Sequence, residues 1–126
     1  MSHIARYKTA IVNPDPDVLR GAFQQIAVEM KGTLSQKVFD YYGNPTEVTL
    51  ALHTPEFQRG LGINWTKDGI EFVVDPWGCE ETVETLKKKI IQAYQAIAVM
   101  KALTALGYKV KQQQIGLSVG VLGVKQ

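Results

Sequence analysis

The stretch LGINWTKDGIEFVV, residues 61–74, decides the architecture of the chain. Two runs in which apolar residues alternate with polar or small ones flank the turn sequence KDG. An Asp-Gly pair between two such runs is a strong hairpin signal, because a tight turn needs positive φ at its central positions. We therefore predict strands over 61–66 and 70–74, with Trp65 on the side that faces the core.

The segment before this hairpin predicts a strand, a helix and two more strands. A strand over Ala5–Val12 leads to Asp15, which has the side chain of an N-cap and is followed by Pro16 at the first helical position. We expect this helix to run to about Met30, with Gly32 as its left-handed terminator. Two runs rich in β-branched and aromatic residues then predict strands at 34–42 and 47–54.

The segment after the hairpin predicts a long helix and one or two strands. The helix opens after Trp77-Gly78 and ends at Gly107, and Glu84 and Lys88 are expected to form an i,i+4 pair on it. Its second half, AIAVMKALTAL, is apolar almost all round, which predicts burial on more than one side. A central position in the domain, a covering C-terminal segment and a partner chain would each provide that burial.

Taken together, these elements predict a single domain, residues 1–126, of the α+β class. We expect a mainly antiparallel sheet of about five to seven strands with both helices packed on one face. The closest simple template is a ferredoxin-like core, β-α-β-β-α-β, with an extra hairpin.

Charge is distributed unevenly along a chain whose formal net charge is +2. Residues 1–84 carry seven basic and all twelve acidic groups, a balance of −5, whereas residues 85–126 carry seven lysines and no acid, a balance of +7. Such an imbalance indicates a polyanionic or acidic partner, unless the two halves intermix in space and cancel. A nucleic-acid-binding function is therefore one alternative, with strand aromatics available to stack on bases.

The C-terminal third also suggests a protein-interaction surface. In its last strand aliphatic residues alternate with Gly and Ser, so that one face is aliphatic and the other is nearly bare. The residues that we assign to this possible interaction surface are Lys87, Lys88, Lys101, Lys109, Lys111, Leu117, Val119 and Val121.

The single cysteine, Cys79, stands at the start of the second helix, where the helix dipole stabilises a thiolate. Three glutamates within the next five residues oppose that charge, and there is no second cysteine to resolve an oxidised sulfur. We expect a structural role, and keep a thiol-dependent or small-ligand-binding enzyme centred on Cys79 as a second alternative. No pair of His and Cys residues has the spacing of metal ligands, and we expect neither a metal nor a cofactor.

The sequence also resembles, over nearly its whole length, a family of small uncharacterised proteins. Members are encoded by cyanobacteria, by a hypothetical chloroplast open reading frame of algal plastids and by other bacteria. The stretches that carry the resemblance are Met1-Ser2-His3-Ile4, Lys8-Thr9-x-Ile11, Gly62-x-x-Trp65, Glu71-Phe72-Val73-Val74-Asp75, Gln92-x-Tyr94 and Gly107-Tyr108-x-Val110-x-x-Gln113.

The resemblance implies no active site, because the family is a domain of unknown function. Relatives are often encoded near another small protein and sometimes near an AAA-type ATPase, which implies a component of a larger assembly. Our leading hypothesis is a non-enzymatic interaction or assembly module, an adaptor or component of a complex, with a protein partner or a second copy bound. We expect it in the cytoplasm, or in the plastid stroma if it is plastid-encoded, and not inserted in a membrane, because the sequence has no long apolar run and only one cysteine.

Overall fold

The computed structural model describes residues 2–67, 69–115 and 118–125, with residues 108–125 described as backbone alone. The elements, in chain order, are β1 (Ala5–Lys8), α1 (Pro16–Met30), β2 (Thr33–Phe39), β3 (Pro45–His53), β4 (Leu61–Thr66), β5 (Gly69–Val74), α2 (Glu80–Ala105), β6 (Tyr108–Ile115) and β7 (Ser118–Lys125).

Strands β1–β5 form one antiparallel sheet in the order β1-β5-β4-β3-β2, which confirms the α+β prediction. Helix α1 carries the chain from one edge strand to the other, and the meander β3–β5 fills the space between them. The ferredoxin-like template has one strand there, so the extra hairpin lies inside the sheet. The fold departs from that template after α2, because β6 pairs with β7 in a separate two-stranded sheet that lies against α2.

The main core lies between the sheet and both helices. Buried side chains of α1 and α2 interlock with those of one sheet face: Leu19, Phe23, Ile26, Val83, Leu86 and Ile90 against Leu52, Leu61, Ile63, Phe72 and Val74. The long apolar stripe of α1 follows its helical period, so its burial follows directly from the sequence.

A second, smaller core lies on the opposite face of the sheet, because the β2–β3 hairpin bends over that face. The register of the hairpin shifts between the pairs Ser35–Ala51 and Lys37–Glu47. The shift reverses the direction of β3 side chains, so that Val48 joins the second core although Leu50 packs on the first. As a result, β2 contacts β4 and β5 as well as its sheet neighbour β3.

Two details of the first half differ from the prediction. Strand β1 ends at Lys8 and not at Val12, because among the described residues only Thr9 bonds to the sheet beyond it, with its N–H and hydroxyl 3.2 and 3.0 Å from the Ile70 carbonyl. The left-handed residue after α1 is Lys31 (φ 55°) and not Gly32. Gly32 is needed instead for close packing, because a Cβ there would lie 2.4 Å from the His53 carbonyl oxygen.

Trp65 in the hairpin and the end of the long helix are more exposed than the sequence predicts. Trp65 is 39% exposed, because it lies beyond the core at the turn end of β4. On α2 the last buried residue is Ala96, while Val99 and Leu106 are 46% and 72% exposed. The second half of α2 therefore packs on the main core as far as Ile97 and Ala98 and also contacts β6 and β7, whereas its end leaves aliphatic side chains exposed.

Candidate functional site

Three segments meet where the folded-over hairpin reaches the start of α2. They are the turn after β2, the loop between β3 and β4, and the joint between β5 and α2. The N–H of Phe39 donates to the carbonyl of Arg59 at 2.9 Å, which fastens the first segment to the second. The third segment is held by Asp75, which follows β5.

Asp75 is completely buried and accepts hydrogen bonds from the turn after β2, from its own joint and from Ser2 near the N-terminus. Its carboxylate accepts the backbone N–H of Tyr41 at 2.7 Å and that of Trp77 at 3.1 Å, and the hydroxyl of Ser2 also donates to it. Burial raises the pKa of Asp75, but these hydrogen bonds and the nearby Arg59 charge outweigh burial, and the pKa lies below its ordinary value. Asp75 is therefore an ionised anchor for the two backbone segments.

Arg59 is the cation of this site. Its Nη2 donates to the carbonyl of Trp77 at 2.7 Å and to the Sγ of Cys79 at 3.2 Å. Its Nη1 lies 3.6 Å from the Asp75 Oδ2 and is buried without a hydrogen-bond acceptor among the residues that the structure describes. The guanidinium also stacks near the ring of Phe57, at 5.1 Å from the ring centre.

Above this pair lie three exposed aromatic side chains, Tyr41, Tyr42 and Trp77, which we call the aromatic patch. They are 57%, 73% and 43% exposed. Tyr41 stands edge-on to both others, with ring centres 5.4 Å from Tyr42 and 4.8 Å from Trp77. These are favourable aromatic geometries, so the three rings support one another at the surface.

An acidic rim follows the aromatic patch along the chain, where Trp77 leads into the first turns of α2. It consists of Glu56, Glu80, Glu81 and Glu84, which line two adjoining shallow grooves. Glu84 pairs with Lys87 at 2.7 Å, so the predicted partner Lys88 was wrong by one residue. Within the described part of the chain, no ion pair neutralises the other three glutamates.

Cys79 is the N-cap residue of α2, and its side chain makes no capping hydrogen bond. It is partly buried against the main core, with Arg59 as the donor to its sulfur. Groups of three His, Cys, Asp or Glu side chains that could hold a metal ion are absent from the described residues.

The helical lysines of the predicted interaction surface are mostly engaged within the chain. Lys87 lies 4.0 Å from the ring centre of Tyr7 in addition to its pair with Glu84, and Lys101 pairs with Asp15 at 2.5 Å. Lys88 lines the groove beside the acidic rim. Lys109 and Lys111 stand on β6, Val119 and Val121 on β7, and Leu117 lies outside the described residues.

A contact that the sequence did not indicate joins His53 to the bend in β2. The Nε2 of His53 lies 2.6 Å from the Ser35 hydroxyl and 3.0 Å from the Lys37 carbonyl, and its Nδ1 donates to the Gln58 carbonyl at 2.8 Å. Because the Ser35 hydroxyl also bonds within the bend, to the Lys37 N–H and carbonyl, the ring acts as a clasp between the bend and the loop before β4.

The sequence pointed to Cys79 and the joint around it. It did not indicate that Arg59, Asp75 and the two tyrosines lie together at one site. Tyr41 and Asp75 are 34 residues apart, and no local pattern connects them. Only the bent hairpin brings them together.

Neither described helix has the length and apolar character that crossing a membrane requires. Searches of curated proteins and of solved structures give no match. A family model does match, over residues 22–120, which is most of the chain and includes every residue of the aromatic patch and the acidic rim. The chain belongs to the family described as "Protein of unknown function (DUF1257)".

Proposed function

We propose that this protein is a non-enzymatic interaction module, an adaptor or component of a larger complex, which binds a protein partner through the aromatic patch. The observation that carries the proposal is the contiguous exposure of Tyr41, Tyr42 and Trp77, with the Arg59 guanidinium 5.9 Å from the Tyr41 ring centre. Trp, Tyr and Arg are the residues that dominate binding energy in protein interfaces.

The patch is also held in place before any partner arrives. Asp75 accepts the backbone N–H groups of Tyr41 and Trp77, and Arg59 donates to the carbonyl of Trp77. Side chains that are already ordered lose less conformational entropy on binding, so a preorganised patch supports higher affinity than a flexible one.

The other two functions have less support. Nucleic-acid binding needs free cationic charge, and Lys87, Lys89 and Lys101 are each paired with a carboxylate. For thiol chemistry, Cys79 has Arg59 beside it, but among the described residues it belongs to no group of three His, Cys, Asp or Glu side chains that could hold a metal ion. The single cysteine supports a reducing compartment, such as the cytoplasm or a plastid stroma, as the place of action.

A photo-crosslinking comparison tests the proposal. A photoreactive amino acid replaces Tyr42 in the patch or, as a control, Val28 on α1, which is 82% exposed and lies on the exposed side of α1. In cells of the native host we expect a discrete crosslinked product from position 42 that excess unlabelled protein suppresses. The combined Tyr42→Ala and Trp77→Ala variant should not suppress it. Equal products from both positions, or equal suppression by both competitors, would refute a role for the patch.

A further inference from the structure

Helix α2 separates two surfaces of opposite character. It has 26 residues and is therefore about 39 Å long, at 1.5 Å per residue. Glutamates stand in its first turns, and exposed aliphatic residues stand at its other end. Surfaces that far apart on one rigid helix cannot meet within one molecule.

The first surface, which we call the head, combines the aromatic patch with the acidic rim. The backbone connects them directly, since Trp77 and Glu80 are three residues apart and Glu80 Oε1 accepts the N–H of Gly78 at 3.3 Å. The head thus has an apolar centre and a negative edge. A complementary partner must offer apolar side chains beside positive charge.

The second surface, which we call the tail, has that composition. It consists of the last turns of α2, with Val99 and Leu106 46% and 72% exposed, and of the adjoining β6–β7 hairpin. Lys109 and Lys111 stand two residues apart on β6. Beyond Glu84 the chain contains no acidic residue that could neutralise these lysines locally.

We propose that the head binds the tail of a second copy of this chain. The tail's aliphatic residues pack on the aromatic patch, while its lysines face the acidic rim. The inference rests on the proposed function, because it names the partner of the same patch. Head and tail are different surfaces, so the contact is heterologous and joins copies into a ring or an open chain. Complementary charge selects the register and speeds the encounter.

Sedimentation velocity on charge-reversed variants tests this contact. The head variant carries Glu80→Lys and Glu81→Lys, the tail variant Lys109→Glu and Lys111→Glu, and Lys8→Glu on β1 is the control. We expect the natural chain and the control to associate with rising concentration, and added salt to weaken that association. Each reversed variant alone should associate about tenfold more weakly, since like charges then face each other.

The decisive sample is a 1:1 mixture of the head and tail variants. In the mixture the positive head of the head variant meets the negative tail of the tail variant. The positive tail of the head variant likewise meets the negative head of the tail variant, so association should recover. A loss of folding cannot produce such recovery, which separates a contact effect from a stability effect. A natural chain that stays monomeric at every concentration, or a mixture no larger than its separate components, would overturn the inference.

The crosslink from position 42 distinguishes a failure of the head-to-tail contact from a failure of the proposed function. If the crosslinked partner is a different protein while the natural chain stays monomeric, the patch is an interaction site but the second copy is not its occupant. If position 42 yields no specific product and the chain is monomeric, both proposals fail.

Discussion

Replacing Asp75 by Asn tests whether the buried carboxylate holds the site together. The substitution keeps the size of a side chain that is completely buried and removes its charge. The two carboxylate oxygens accept one backbone N–H each, from Trp77 on Oδ1 and from Tyr41 on Oδ2. An amide has only one oxygen, so its NH₂ group must face one of these N–H groups, and Arg59 loses its counter-charge.

The structure sets the size of the effect. One buried N–H without an acceptor costs about 1–3 kcal/mol, and removing one partner of a buried ion pair costs about 3–5 kcal/mol. These costs overlap, and Arg59 keeps 17% of its side-chain surface exposed, so part of its charge is solvated. We expect the free energy of unfolding to fall by about 3 kcal/mol at pH 7.

Urea unfolding at several pH values measures this effect. Glu71→Gln is the control, because it removes the pair with the more exposed Arg6 and should cost less than about 1 kcal/mol. The pKa of Asp75 is lowered in the folded state, so its stabilisation is present above the unfolded value of about 3.9 and is lost as the pH falls through the folded value. The difference between the natural chain and Asp75→Asn should therefore shrink in acid. A loss at pH 7 no larger than that of the control, or one that does not change with pH, would refute the reasoning.

Three further substitutions test the packing and the helix ends. Gly62→Ala places a Cβ 2.9 Å from a Val48 methyl and should destabilise the fold by about 1–3 kcal/mol. Adding Val48→Ala removes that methyl and should recover part of the loss, as measured by chemical unfolding. If the effects of the two substitutions on the free energy of unfolding simply add, the clash is contradicted. Tyr94→Phe removes the hydroxyl oxygen that accepts the Asp15 N–H at 2.9 Å and should cost about 0.5–1.5 kcal/mol, so an unchanged unfolding midpoint would show that water replaces it. Asp15→Ala should lower the thermal unfolding midpoint more than Asp15→Asn does. Asn keeps the N-cap acceptor and loses only the charge that pairs with Lys101. Equal midpoints for the two variants would mean that the cap does not contribute to stability. The Lys101 hydrogen bond lowers the pKa of Asp15, so that the pair's stabilisation is present above the ordinary aspartate pKa and is lost as the pH falls through the folded value.

The helices and strands were largely predictable because they depend on neighbouring residues. The Asp15-Pro16 start of α1, the turn after Thr66 and the glutamates at the start of α2 act within a few residues of the chain. The predictions were wrong at positions where tertiary packing decided between two locally acceptable conformations. Lys31 has the left-handed φ, and Gly32 lies against the His53 carbonyl, where a Cβ would clash.

The candidate site was predictable only in part. The sequence alone determined that Cys79 stands at the joint between β5 and α2, that three glutamates follow it, and that charge is split along the chain. It did not determine that Tyr41 lies beside Trp77 or that Arg59 lies beneath both. Those contacts depend on the bend of the β2–β3 hairpin over the second face of the sheet. That bend follows from a register shift between two strands, and register is decided by which side chains pack together across the whole sheet.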